Sequence, residues 1–396
     1  MNQSKKMNLL IILSICTFLV GFDSIVTIPL IPLMSKDTNL PVNLSGLLVT
    51  SYAIAYAIFA PFFGSLSDRV GRKKILIFGL FIFSLATTFT GLANTFSTLI
   101  IFRILSGIGA GMIEPNVLSI VGDRFEYENR GKAIGIVTAA LISSAIVGVP
   151  LGGYIAEYFS WRVPFFVIGV VSIFSLILVS ISINETNKQI TSPSIVMQVR
   201  ATVSSSTILF ALTATLLYYG GLQGMFVYSG VFYSEIFNSS TSLIGFILMG
   251  AGIGSVLGSV IGGKLADKFG KKKVVIFAVF FVGISVLFLS LSTHSFQMAI
   301  LIHFIWATVY GIGQTAFTAL ISELNPKYRG TIMALISSAM YLGSGLFTAI
   351  VAVVFHNNNF VSVGIICALA NLLVLLIVSF KLNEVNKTNR NIVMAK

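Results

Sequence analysis

The chain has 396 residues, of which 56% are hydrophobic and 10% charged, with a formal net charge of +12 and a mean hydropathy of +0.96. A soluble domain carries about 25% charged residues, so this composition excludes a water-soluble globular domain and indicates a chain that crosses a bilayer many times. The positive charge would suit nucleic acid, but its bases sit in short connections between apolar runs, where topology explains them and no nucleic-acid partner is expected.

A helix needs about 20 apolar residues to cross the hydrocarbon. Twelve such runs, spans 1 to 12, follow one another at roughly 8–33, 44–66, 75–94, 97–121, 133–157, 162–183, 207–231, 241–263, 274–293, 296–321, 331–355 and 360–381. Span 1 is far longer than a signal-peptide core and has no small-residue cleavage site after it, so it is read as a retained helix. The fold class is an all-α polytopic membrane protein. Cys16 and Cys367 lie inside spans 1 and 12 with no metal-site or disulfide spacing, which makes them packing residues and leaves no metal or cofactor to expect.

Span 1 carries Asp23, an acid inside an apolar run, and span 2 carries Tyr52 and Tyr56. After span 2 comes a charged segment, Gly64-Ser-Leu-Ser-Asp68-Arg69-Val-Gly71-Arg72-Lys73-Lys74, read here as a turn. Span 4 contains Arg103, then Gly107, Gly111 and Glu114, and is followed by Arg130-Gly131. Span 5 contains Gly148-Val149-Pro150-Leu151-Gly152-Gly153, and Trp161-Arg162 opens span 6. The segment 184–206 is polar, with Thr191-Ser192-Pro193-Ser194, and reads as a linker.

Beyond that linker the pattern starts again. Gly263-Lys-Leu-Ala-Asp267-Lys268-Phe-Gly270-Lys271-Lys272-Lys273 repeats the first charged turn, and Arg329-Gly330 repeats Arg130-Gly131 at the same offset. Two unrelated matches sharing one offset mark a duplicated chain. The expected domains are an N-terminal six-helix bundle, 1–183, and a C-terminal bundle, 207–396, joined by 184–206. Six spans per half return the chain to the same side, so the halves are parallel repeats, the arrangement of a transporter that rocks two bundles around a central site. Both termini are placed in the cytoplasm, because that orientation leaves only Lys36 and Arg162 outside and Arg103 within a span.

These residues resemble a known family. The turns at Gly64 and Gly263 are similar to the signature turns of the major facilitator superfamily, and the span 4 run from Arg103 to Gly111 resembles its buried-arginine motif. The span 5 run resembles the motif of its drug and metabolite proton antiporters, with Val149 placed between Gly148 and Pro150 as in sugar and small-metabolite efflux members. The resemblance covers essentially the whole chain. It implies a monomeric, multi-pass plasma-membrane exporter of bacterial type that exchanges protons for a small molecule, a drug or a metabolite. It also implies that Asp68, with Arg69, Gly71, Arg72 and Arg130, latches the bundles on the cytoplasmic side, and Gly263, Asp267, Gly270 and Arg329 form the second copy.

Arg103 is the one base that topology does not explain. A charge at membrane depth costs about 3 kcal/mol and needs a partner; Asp23 lies at a similar depth, some ~10–15 Å in from the outer ends at 1.5 Å per residue. Low dielectric disfavours a charged Asp23 and a nearby arginine favours it, so the group is expected to load and release a proton. Glu114, three turns after Arg103 on the same helix face, is a second proton or cationic-substrate site, with a carboxylate reaching toward the cytoplasm as the bland alternative. The second half has no acid inside its spans, so it is assigned shape and polarity. Tyr218, Gln223 and Tyr228 in span 7 and His303, Trp306, Tyr310 and Gln314 in span 10 are candidate walls for a substrate cavity, together with Tyr52, Tyr56, Gly107 and Gly111. The rival readings are an uptake symporter for a sugar or similar solute and a membrane-embedded sensor. No nucleophile–base arrangement and no GxxxxGK[ST] loop supports an enzyme or an ATP-driven pump.

Overall fold

The computed structural model describes residues 3–38, 42–125, 127–183, 203–322, 324, 329–355 and 360–382. Almost all of the expected linker lies outside them. Twelve of the helices among the described residues are long and apolar enough to cross a membrane. They are α1 Gln3–Thr38, α2 Leu47–Val70, α3 Arg72–Leu92, α4 Phe96–Arg124, α5, α6 Arg162–Ser182, α7 Ser206–Phe237, α8 Thr241–Phe269, α9 Lys271–Leu291, α10 Phe296–Ser322, α11 Arg329–Val354 and α12 Phe360–Lys381. The fifth, α5, runs as Tyr127–Ser143, a π turn Ser144–Gly148 and Val149–Tyr158.

The two charged segments are not turns over their whole length. α2 continues helical to Val70 and α8 to Phe269, and each chain break is a single glycine, Gly71 at φ 112° and Gly270 at φ 93°. An L side chain rarely adopts that backbone, and glycine there lets one helix stop and the next begin without a loop. Gly64 and Gly263 accordingly lie inside helices rather than in a connection.

The repeat predicted from sequence recurs in the hydrogen bonds. Lys73 Nζ donates to the Ser180 carbonyl at 2.7 Å, and Lys272 Nζ donates to the Ser379 carbonyl at 2.9 Å. Each lysine of a repeated segment thus caps the last turn of its bundle's sixth helix, where unpaired carbonyls and the helix dipole attract a cation. Arg72 breaks the symmetry by pairing with Asp123 at 2.9 Å. The equivalent positions in the second half, Lys271 and Ser322, lack that acid.

Two cores result. One gathers residues of α1 to α6 around Leu13, Phe83 and Phe165, the other residues of α7 to α12 around Ala211, Phe232 and Val374, together with Ile28, Ile31, Val49 and Val149 from the first half. Within each bundle, small residues bring backbones together, as expected where lipid removes any hydrophobic drive for helix pairing. A Cβ on Gly107 of α4 would strike the Tyr52 carbonyl of α2, and one on Gly258 of α8 would strike the Thr308 carbonyl of α10. These are equivalent crossings in the two halves.

The bundles meet along α2 with α11, α5 with α8, and α1 with α7. The close approaches concentrate toward the face opposite the termini. There Thr50 Oγ1 donates to the Gly345 carbonyl at 3.0 Å, and Glu157 Oε2 accepts from the Ser242 amide at 2.6 Å in the first turn of α8. On the same face Asp37 Oδ2 accepts from Arg162 Nη2 at 2.7 Å and Trp161 Nε1 at 3.0 Å, while Arg162 Nη1 reaches the Ala93 carbonyl at 2.7 Å. This cluster ties α1, α3 and α6, and nothing in the sequence singles out Asp37.

The glycine contacts make a stability prediction. Gly258→Ala drives a methyl into backbone that has no rotamer to yield, an overpacking cost of about 1–3 kcal/mol, whereas a methyl on Gly250 would meet nothing within 4 Å. Thermal unfolding in detergent should show Gly258→Ala several degrees below the wild type and Gly250→Ala unchanged. Equal midpoints for the two variants would contradict the packing.

Candidate functional site

Between the bundles lies a cavity of about 290 Å³. Its walls include Tyr52 of α2, Gln223 of α7, Trp306, Tyr310 and Gln314 of α10, and Tyr341 of α11. Helical period explains the choice. Trp306, Tyr310 and Gln314 recur at i, i+4 and i+8 on one face of α10, and Tyr219, Gln223 and Phe226 share one face of α7 at i, i+4 and i+7.

The remaining candidate wall residues are placed elsewhere. Tyr218 stands behind Tyr310, ring stacked at 4.8 Å, and donates to the Tyr310 carbonyl at 3.0 Å. Its neighbour Tyr219 lines the cavity instead, because Gln223 sets the face and lies one helical turn beyond Tyr219 rather than Tyr218. Tyr228 sits toward the opposite face against Phe355, at 5.0 Å between rings. His303 is buried behind Trp306, with Nδ1 3.2 Å from the Tyr233 hydroxyl. Gly107 and Gly111 face α2 backbone rather than the cavity.

The Asp23 and Arg103 side chains are brought together as the depth argument requires. Arg103 Nη1 lies 2.8 Å from Asp23 Oδ2, and both side chains are fully buried. Arg103 Nε also donates to the Leu48 carbonyl at 3.3 Å, and its guanidinium lies 4.4 Å from the centre of the Tyr52 ring. Tyr52 therefore touches the ion pair on one side and the cavity on the other. The pair is incompletely satisfied: Asp23 Oδ1 and Arg103 Nη2 are buried with no hydrogen-bond partner among the described residues.

Glu114 does not reach toward the basic end of α4. Its Oε2 accepts from the Tyr56 hydroxyl at 2.6 Å and from the Tyr341 hydroxyl at 3.3 Å. The two rings stack at 3.7 Å. One tyrosine belongs to each half, so this carboxylate bridges the bundles. Sequence reasoning misses Tyr341, since a lone tyrosine in α11 carries no spacing signal.

The glycine–proline run in α5 forms a seam. Pro150 has no N–H to continue the i to i−4 ladder, and the chain widens into the π turn, closed by the Val149 amide donating to the Ser144 carbonyl. Ala145 and Val149 from this turn line the cavity. Gly148 and Gly152 admit the Phe22 ring of α1, while a Cβ on Gly153 would lie 2.8 Å from the Thr241 carbonyl and one on Gly245 2.9 Å from Pro150. α5 is thus seated between α1 and α8 at the depth of the cavity.

Of the residues assigned to the latch, Gly71 and Gly270 form the chain breaks and Arg72 pairs within its own bundle. Asp267 is exposed, with no hydrogen bond or ion pair among the described residues. The side chains of Asp68, Arg69, Arg130 and Arg329 lie outside the described residues.

Two pseudo-symmetric six-helix bundles around a central cavity, with a buried arginine–carboxylate pair beside it, define a secondary transporter. The sequence model of the Major Facilitator Superfamily matches residues 13–236 and 211–394, and the chain belongs to that superfamily. It is a multi-pass membrane transporter of a small molecule, not an enzyme. It is 28% identical over 344 residues to the MFS-type transporter YceJ of Bacillus subtilis (strain 168), covering 86% of this chain and 88% of that one. To the quinolone resistance protein NorA of Staphylococcus aureus (strain MSSA476) it is 26% identical over 369 residues, 91% and 94% of the two chains. Among solved structures it resembles the D-xylose-proton symporter, with a TM-score of 0.81, 18% identity and coverage of 96% and 98%. It also resembles an inward-facing, occupied bacterial homolog of the human lysosomal transporter Spinster, with a TM-score of 0.80, 17% identity and coverage of 96% and 97%. At those identities the structures share the fold.

Removing one member of a buried ion pair strands the other, at about 3–5 kcal/mol, whereas replacing both by apolar residues of similar size is nearly neutral. Asp23→Leu and Arg103→Met should each lower the unfolding midpoint markedly, and the double variant should melt above both. A double variant less stable than either single would show that the two groups do not stabilise each other.

Proposed function

We propose that the protein is a proton-coupled antiporter that exports a small organic molecule from the bacterial cytoplasm by alternating access. The observation that carries this reading is the buried Asp23–Arg103 pair separated from the cavity by one side chain, Tyr52. Binding that moves Tyr52 changes what Arg103 can offer Asp23. Protonation of Asp23 removes the partner's charge and frees the guanidinium to shift toward the Tyr52 ring, so the proton and the ligand compete through one aromatic ring.

Glu114 supplies a second step in this scheme. Its carboxylate holds Tyr56 of one bundle and Tyr341 of the other, and a proton on Oε2 removes an acceptor that both hydroxyls share. Loading that proton loosens α2 from α11, where the bundles must part to open the face opposite the termini. With both termini in the cytoplasm, the packed contacts of Thr50 with Gly345 and of Glu157 with Ser242 lie on the outer side, which makes this conformation one closed to the exterior. The Asp68 and Asp267 segments then act at the inner ends, as the family resemblance implies, and the chain works as a monomer.

The export direction is supported by the α5 seam, which resembles that of the antiporter group, and by likeness over most of the chain to a protein named for quinolone resistance. The driving force is sufficient. One charge crossing 100 mV carries about 2.3 kcal/mol, and at about 1.4 kcal/mol per tenfold one proton sustains a roughly 40-fold gradient of a neutral solute.

Purified protein in liposomes under an imposed pH gradient tests the reading, with a quinolone as the first probe and proton movement as the signal. Wild type should show probe-evoked proton flux, Asp23→Asn should lose it, and Glu114→Gln should slow it at least tenfold while still binding the probe. Undiminished flux in Asp23→Asn would sink the assignment of Asp23. Probe movement in the same direction as the protons would instead favour an uptake symporter.

A further inference from the structure

The cavity's chemistry narrows what it can carry. Among the described residues its walls hold tyrosines, a tryptophan, two glutamines, serines and aliphatic side chains, and no acidic or basic group. The acids nearest to it are already engaged. Asp23 is paired with Arg103, so that together they present no net charge, and Glu114 is held by two tyrosine hydroxyls. A cation brought from water into such a site would forfeit its hydration, at a cost of several kcal/mol. A single aromatic face returns about 2 kcal/mol or more to a desolvated cation, so compensation needs several faces closed around the charge, whereas here Tyr219 meets Tyr310 edge-on at 89°.

The walls are nevertheless specific. Tyr310 is fixed as a flat surface by Tyr218 stacked behind it at 4.8 Å and 15°, and Tyr219 meets it edge-on at 89°. Beside it stands Trp306, 1% exposed, whose Nε1–H has no hydrogen-bond partner among the described residues. An indole nitrogen is donor only, and a buried donor left unpaired costs about 1–3 kcal/mol. Of the other buried aromatics near the cavity, Tyr218 is satisfied through the Tyr310 carbonyl and Tyr56 and Tyr341 through Glu114, whereas the Tyr310 hydroxyl, like the Trp306 indole, has no hydrogen-bond partner among the described residues. Trp306 and Tyr310 therefore both hold unused donors at a rigid aromatic wall; the indole N–H, which is donor only, suits a flat molecule with one strong acceptor.

We propose that the transported class is uncharged, planar aromatic molecules bearing a carbonyl-type acceptor, that Trp306 selects them by donating its indole N–H to that acceptor, and that permanent cations are rejected. This deepens the antiporter reading and rests on its location of the site. The cavity volume, about 290 Å³, is at the lower end of the roughly 300–1,000 Å³ of small-molecule sites and suits a two- or three-ring system.

Three compounds with one flat bicyclic skeleton separate the possibilities: 1-methyl-4-quinolone is neutral with a carbonyl, 1-methylquinolinium is a permanent cation, and 1-methylnaphthalene has neither acceptor nor charge. The chain contains only 2 tryptophans, and the other, Trp161, is hydrogen-bonded to Asp37 on the opposite face. In Trp161→Phe protein the emission of Trp306 reports the cavity directly, and calorimetry on the unaltered protein provides a second readout should that variant fold poorly. The quinolone should quench Trp306, with the cation and the naphthalene binding at least tenfold more weakly. Trp306→Phe, followed by calorimetry, should weaken the quinolone roughly 5–10-fold and leave the naphthalene unchanged. Equal or tighter binding of the cation overturns the proposal, as does binding of none of the three, or an equal loss for quinolone and naphthalene in Trp306→Phe. Quinolone binding as described but without proton-linked flux in liposomes would leave the selectivity standing and remove the antiport reading instead.

Discussion

A guanidinium inside the hydrocarbon has to be neutralised by the protein itself, since neither water nor lipid tails will do so. Arg103 meets that demand with one carboxylate oxygen of Asp23, one backbone carbonyl from α2 and the face of Tyr52. Three helices are thereby fixed against one another around one charge. The arrangement leaves Asp23 Oδ1 and Arg103 Nη2 without partners among the described residues, and a partly satisfied polar network in low dielectric is under strong pressure to rearrange when one member changes charge. Stability and responsiveness come from the same contact.

The rest of the molecule arranges close packing so that such a change has somewhere to go. Within each bundle, glycines let α4 lie against α2 and α10 against α8 with backbone in contact, and lysine caps tie the third helix to the sixth and the ninth to the twelfth. These pairs hold each half as a unit. Across the halves, glycine contacts and apolar residues such as Ile28 and Val49 also pack, and the hydrogen-bonded joints include a threonine to a carbonyl, a glutamate to the first turn of α8, and a glutamate shared by two stacked tyrosines. Hydrogen bonds of that kind are worth about 0.5–1.5 kcal/mol between neutral groups and about 1.5–3 kcal/mol to a charged one, which suits an interface that must open and close.

Much of the architecture is legible in the chain because hydrocarbon imposes simple rules. Span length, the duplication and the pairing of Arg103 with Asp23 all follow from apolar run length, a shared offset and the cost of an isolated charge. Other features are illegible for equally physical reasons. The charged segments read as turns because their polar residues resemble loop residues, yet a single positive-φ glycine suffices to end one helix and begin the next. Tyr218 and Tyr219 are adjacent and chemically identical, so composition cannot choose the wall residue between them, although a step of one residue turns a helix face by about 100°. Tyr341 and Asp37 act through partners more than a hundred residues away, and no local spacing announces such a meeting.

The sequence by itself determined the class of molecule, the number of crossings, the duplicated plan and the need for a buried ion pair, since each of these depends on composition, length or the self-energy of one charge. Only the tertiary structure decided which aromatic side chains face the cavity, which carboxylate bridges the bundles and which buried donors are left without a partner among the described residues. Those are properties of helix rotation and of contacts between distant segments, and a shift of one position along a helix, invisible in composition, exchanges a wall residue for a packing residue.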